Sequence, residues 1–137
     1  MLYDKNLQGL RDKVASIDGA RTIGVEEGGT VFMVTDTANA GYTITLPTGA
    51  NAGDGWWCRF IVGEAALGSE VNIINGDGAD SIAWVGQHHT TGIGDDAATD
   101  ISFESAAAKG SVIEIMCFGS YWYAYGFADV ASSFGKA

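Results

Sequence analysis

The chain has 137 residues, 47% of them hydrophobic, with a net charge of −10 and 20 glycines against one proline. That length and apolar content fit one domain with a buried core and exclude a disordered chain. With 7 basic residues against 17 acidic ones, the charge excludes the cationic surface that nucleic acid and anionic membranes require.

The glycines follow no three-residue repeat, so they mark turns between short strands rather than a collagen-like chain. No apolar run reaches the ~18 residues of a membrane span. Met1-Leu2-Tyr3-Asp4-Lys5-Asn6 lacks a basic leader followed by an apolar stretch, so the expectation is a chain made in a cytoplasm.

Residues 1–20 differ from the rest. Leu7, Leu10, Val14 and Ile17 recur at steps of three and four, the spacing of one helix face. Gly9 weakens such a helix and Asp18-Gly19 ends it. A helix this short is marginal alone. It is expected either to pack on its own domain or to reach a neighbouring subunit as an arm.

From Arg21 onward the pattern is strand after strand. Thr30–Thr35 is the first clear run. Tyr42-Thr43-Ile44-Thr45-Leu46 alternates in period two and is stopped by Pro47, which cannot donate to a ladder. Trp56–Val62, Val71–Ile74 and Ser81–Val85 follow, with the turn Asn75-Gly76-Asp77-Gly78 between the last two. Gly86–Thr99 is polar and glycine-bearing and reads as a long loop. Ile101-Ser102-Phe103 resumes the strands. Ser111–Phe118 and Tyr121–Phe127, joined by Gly119-Ser120, read as a tight hairpin. Residues 131–137 read as a loose tail.

Eight or nine short strands with turns between them predict an all-β fold, an antiparallel β-sandwich or jelly-roll-like domain over residues 21–130. No helix is long enough to carry a crossover between parallel strands, so an α/β fold is not expected.

Cys58 and Cys117 each lie in an apolar run. They read as two buried thiols or as one cross-strand disulfide.

Several groupings suggest chemistry and fall short of it. Asn75–Asp80 offers oxygen ligands, but an EF-hand needs Glu at its twelfth position, and counting from Asn75 that position is Gly86. His88-His89 has no third histidine, and neighbours on a strand face opposite ways, so no zinc site is expected. Asp95, Asp96, Asp100 and Glu104 supply carboxylates without a fixed cleft. No nucleophile elbow or phosphate loop is present. The reading is a non-enzyme with no metal and no cofactor.

The aromatic residues are more informative. Trp56 and Trp57 point to opposite faces of one strand. Tyr121, Tyr123, Tyr125 and Phe127 share one face of the last strand, with Trp122 and Ala124 on the other. If one face fills the core, the opposite one still displays large rings, which suits an interface. A sugar-binding platform is the alternative use. The expected interface residues are Leu7, Leu10, Val14, Ile17, Trp56, Trp57, Tyr121, Trp122, Tyr123 and Tyr125.

Three segments carry a resemblance. They are Tyr42–Pro47 with the glycine-rich turn after it; Cys58–Val62, later joined by Val71–Gly78; and Lys109–Ile115, ending in Gly119-Ser120-Tyr121-Trp122-Tyr123. Together, over about residues 30–127, they resemble β-rich domains of tailed bacteriophages, found in capsid decoration (cement) proteins and in trimeric fibre or knob domains. The resemblance implies a virion structural protein on the outer capsid surface. It would bind the lattice of the major capsid protein and stabilise it, as a homotrimer. The alternative it implies is a fibre, knob or receptor-binding, glycan-binding module.

Overall fold

The computed structural model describes residues 13–78, 81–88 and 92–136. In chain order its strands are β1 (Lys13–Ile17), β2 (Arg21–Thr22), β3 (Thr30–Val34), β4 (Tyr42–Thr45), β5 (Trp57–Val62), β6 (Val71–Ile74), β7 (Ile82–His88), β8 (Gly92–Ala98), β9 (Asp100–Phe103), β10 (Val112–Phe118), β11 (Tyr121–Ala128) and β12 (Phe134–Lys136). A single turn of helix, α1 (Gly49–Ala52), lies between β4 and β5; Thr48 caps it, its side chain accepting from the Asn51 amide. A 3-10 turn covers Val25–Glu27.

The strands form two layers. Sheet A has seven strands in the order β1-β3-β5-β10-β11-β7-β8, and sheet B has five in the order β12-β9-β6-β4-β2. The all-β sandwich is as expected, but both sheets are mixed. β1–β3, β3–β5 and β11–β7 are parallel in sheet A, as are β2–β4 and β4–β6 in sheet B.

Chain order explains how parallel neighbours arise without crossover helices. From β1 to β7 each successive strand lies in the other sheet, so the pairs β1–β2, β3–β4 and β5–β6 are successive turns of one winding. A parallel pair needs a crossover of about a dozen residues or more. Here a strand of the facing sheet serves as that crossover. The antiparallel pairs β5–β10, β10–β11, β7–β8, β6–β9 and β9–β12 complete both layers.

Three local expectations change. Lys13–Ile17, expected within a helix or arm, is the edge strand β1 of sheet A. Leu7 and Leu10 lie outside the described residues. The expected loop over Gly86–Thr99 is mostly strand, since β7 continues to His88 and β8 pairs back against it. The tail is not loose: Phe134–Lys136 pairs with β9, and Glu104 donates its amide to the Ser133 carbonyl at 2.8 Å.

The core lies between the sheets. Sheet A contributes Phe32, Phe60, Ile113, Ile115, Trp84 and Trp122; sheet B contributes Ile44, Ile73, Ile101 and Phe103, all essentially inaccessible. Strict alternation places them: β5 reads Trp57 half-buried, Cys58 buried, Arg59 half-buried, Phe60 buried through to Val62. Phe32 and Phe60 stack with centroids 5.5 Å apart. Cys58 and Cys117 are both free and both buried, so the thiol reading holds over the disulfide.

Candidate interaction face

The same alternation that fills the core sends every second side chain of sheet A outward, and the registers place these in rows. One row crosses the whole sheet as Val14, Val31, Arg59, Glu114, Tyr125, Val85 and Gly94. The row above it runs Trp57, Met116, Tyr123 and Ala83, and the row below runs Met33, Ile61, Val112, Phe127 and Gln87.

Val14, Met33, Val85, Met116, Phe118, Tyr123, Tyr125 and Phe127 are 37 to 72% exposed, and all eight lie on this face. Neighbouring strands are about 4.8 Å apart. Val85, Met116, Phe118, Tyr123, Tyr125 and Phe127, on the neighbouring strands β7, β10 and β11, are therefore contiguous, a surface of the kind that marks interaction sites.

A polar network crosses the middle of the face. Arg59 donates from Nε and Nη2 to Glu114 Oε2 at 2.9 and 2.7 Å, and the Tyr125 hydroxyl donates to Glu114 Oε1 at 2.7 Å. The Arg59 guanidinium also sits over the Trp57 ring, 5.8 Å from its centroid. That hydrogen bond to Glu114 raises the Tyr125 phenol above its ordinary value, with burial adding to it.

Toward β8 the face becomes concave. A groove of about 890 Å³ is lined by Glu114 and Met116 of β10, Tyr123 and Tyr125 of β11, Ala83 and Val85 of β7, Gly94, Asp95 and Asp96 of β8, and Lys136 of β12. Gly94 stands opposite Val85 and contributes no side chain, which leaves the hollow open. The Asp95 carboxylate accepts from Lys136 Nζ at 2.6 Å and from the Ala97 amide at 3.0 Å. These bonds, that from Lys136 foremost, hold its carboxyl below the usual carboxylate range. Lys136 belongs to sheet B, so the pair also ties the two sheets together at this end. The Tyr121 hydroxyl donates to the Asp96 carbonyl at 2.7 Å, fixing β11 to β8 across β7.

The expected interface residues divide. Val14, Tyr123 and Tyr125 are exposed on the outer face, with Trp57 and Tyr121 half-buried there. Ile17, Trp56 and Trp122 are core residues instead. Ile17 faces sheet B from the end of β1. Trp56 precedes β5 and donates its indole N–H to the Val25 carbonyl at 2.8 Å. Its ring meets Trp122 edge-on at 5.6 Å. Met33, Val85, Met116 and Phe118 belong to the face and were not among the expected interface residues; their signal is alternation carried across a register that the sequence does not supply.

The other candidate groups have structural tasks. Asn75 Oδ1 accepts from the Asp77 and Gly78 amides, and its Nδ2 donates to Ser81 Oγ at 2.8 Å. Asp77 accepts from the Gly49 amide at 2.9 Å. The Asn75–Gly78 turn thus carries the chain from sheet B to sheet A and braces α1. Asp80 and His89 lie outside the described residues. Asp95 and Asp96 are on β8, whereas Asp100 and Glu104 belong to the β9 segment of sheet B. Among the described residues no three His, Cys, Asp or Glu gather as a metal site. No protein-family model, curated protein or solved structure matches this chain.

Proposed function

We propose that this protein is a structural subunit of a virion. In this reading it is a capsid decoration protein that binds the outer surface of the major capsid protein lattice as a homotrimer. The observation that carries the proposal is the outer face of sheet A. Contiguous apolar surface on this scale is uncommon on a soluble monomer, and Tyr, Phe and Met are the residues enriched where proteins meet. The Arg59–Glu114–Tyr125 network gives such a contact a fixed polar register, because a partner must leave it satisfied or meet it with matching groups. The net charge of −10 suits a densely arrayed external subunit, since it discourages non-specific association. Several contacts made by one rigid oligomer would clamp a lattice far more tightly than a single one. The sequence resemblance to phage decoration proteins points the same way.

The test is the mass in solution at micromolar concentration, by sedimentation equilibrium, together with the position of the chain in images of the intact particle. A trimer distributed over the shell is the expected result. Phe118→Ser combined with Met33→Ser should shift the mass toward monomer with little change in melting temperature, since both side chains are exposed. A monomer that binds no capsid overturns the reading.

A further inference from the structure

The groove at the β8 end of the outer face has the lining of a ligand site, and its chemistry is distinct from that of the flat apolar surface beside it. Its volume of about 890 Å³ falls in the range of small-molecule sites. Tyr123 and Tyr125 form its floor, with their rings 46 and 47% exposed. The Tyr125 ring is held in place by its hydroxyl bond to Glu114, so the platform is set before any ligand arrives. An aromatic ring presents a negative face to positively polarised C–H edges. The apolar side of a pyranose ring carries such edges. Asp95 and Asp96 line the groove beside this platform, and carboxylates only accept hydrogen bonds. Asp95 already accepts from Lys136 and the Ala97 amide, so the exposed Asp96 carboxylate is the acceptor that a ligand rich in hydroxyl donors would chiefly meet.

Charge narrows the choice. Asp95 and Glu114 are already paired with Lys136 and Arg59, so the groove holds no large negative excess to capture a cationic peptide. Asp96 adds an exposed carboxylate at the groove. Sialic acid, uronate or phosphate would face the Asp96 carboxylate, and like charges repel. A neutral, hydroxylated ligand meets none of these costs.

We propose that this groove binds a neutral oligosaccharide, one pyranose ring stacked on Tyr123 and Tyr125 and its hydroxyls donating to Asp95 and Asp96. The groove shares Val85, Met116, Tyr123 and Tyr125 with the outer face, whereas Met33, Phe118 and Val14 lie outside its lining and remain available for subunit contacts.

The experiment is an NMR shift titration of the full chain with maltotriose, cellotriose, chitotriose and mannotriose, and with sialyllactose and digalacturonate as acidic probes. The expected result is that at least one neutral probe binds in the millimolar range or tighter and shifts the amides of β8 and β11, while the acidic probes do not. Tyr123→Ala should weaken that binding by about tenfold, the scale of one lost aromatic contact. Asp96→Asn, an exposed change that leaves the fold intact, should weaken it several-fold. The proposal is overturned if no neutral probe binds at saturating millimolar concentration, if an acidic probe binds equally well, or if neither variant alters binding. It is also overturned if Tyr123→Ala changes only the mass in solution, which would make the groove a subunit contact.

Discussion

Trp84 and Phe134 meet edge to face with ring centroids 5.4 Å apart and planes at 86°. The contact joins β7 of sheet A to β12 of sheet B, and two glycines make room for it. Gly86 and Gly126 are register partners on β7 and β11, both facing inward. A Cβ on Gly126 would lie 2.8 Å from the Val112 carbonyl oxygen and 2.9 Å from both the Phe134 and Trp84 rings. Gly126→Ala should therefore destabilise the fold by about 1–3 kcal/mol, the usual cost of overpacking. Gly92→Ala, whose Cβ would find only the Gly86 oxygen at 3.5 Å, should cost less than about 0.5 kcal/mol, as surface changes usually do. Urea unfolding of both variants checks this; equal losses would remove the packing explanation.

The Tyr42 hydroxyl ties the first winding turn together. It donates toward the Thr35 carbonyl at 2.6 Å and the Ile17 carbonyl at 3.2 Å. It thus links the start of β4 to the ends of β1 and β3, where the Thr35 amide also donates to the Ile17 carbonyl. Burial raises the phenol well above its ordinary value, so it stays a donor throughout the neutral range. Tyr42→Phe should cost about 1–2 kcal/mol, the value of a hydrogen bond lost at the Thr35 carbonyl, since the Ile17 carbonyl keeps the Thr35 amide. Amide hydrogen exchange should quicken at Thr35 more than at Phe60. Uniform acceleration would show a global loss instead.

What the sequence revealed and what it hid follow from the range of the forces involved. The alternation of Tyr42–Thr45 and Trp57–Val62 is local, and both strands are found. So is the β10–β11 hairpin, where Gly119 and Ser120 both take positive φ, at 60° and 61°. β1 misled because Val14 and Ile17, three apart, fit a helix face; on a strand an odd separation sends them to opposite sides, and Val14 is exposed while Ile17 is buried. β8, with Gly92, Gly94, Asp95 and Asp96, has poor strand propensity and exists because β7 pairs with it. Gly86 looked like the start of a loop but is a strand glycine that clears space for Trp84 and Phe134. The rows of the outer face depend on register between strands distant in sequence, so the rings of β11 were legible singly and the surface they share was not.

Acid should loosen the β1–β3 end first. The Thr37 hydroxyl and amide both donate to the Asp18 carboxylate, at 2.5 and 2.8 Å, and hold its carboxyl below its ordinary value. A carboxyl depressed in the folded state contributes stability that is present above its unfolded value and lost as the pH falls through its folded value. Thr37→Val removes the hydroxyl donor, so the Asp18 midpoint should climb toward 3.8. Carbon-detected NMR titration of Asp18 reads this directly. A midpoint unchanged by the substitution would show that the Thr37 hydroxyl does not set it.

Both thiols should be silent until the chain unfolds. Cys58 and Cys117 face the core from adjacent strands of sheet A and are fully buried. Burial raises the Cys58 thiol well above its ordinary value, reinforced by Glu114 and Glu27. Burial likewise raises Cys117, with Asp54 adding to it; its Sγ lies 3.6 Å from the Gly49 carbonyl oxygen. Only the thiolate is nucleophilic, so both high pKa and lack of access suppress reaction. In native buffer a disulfide reagent such as Ellman's should release no colour on the minutes scale. In denaturant it should report both thiols at once, at the rate of global unfolding. Fast native labelling of Cys117 alone would mean that α1, which covers it, opens locally before the sheets separate.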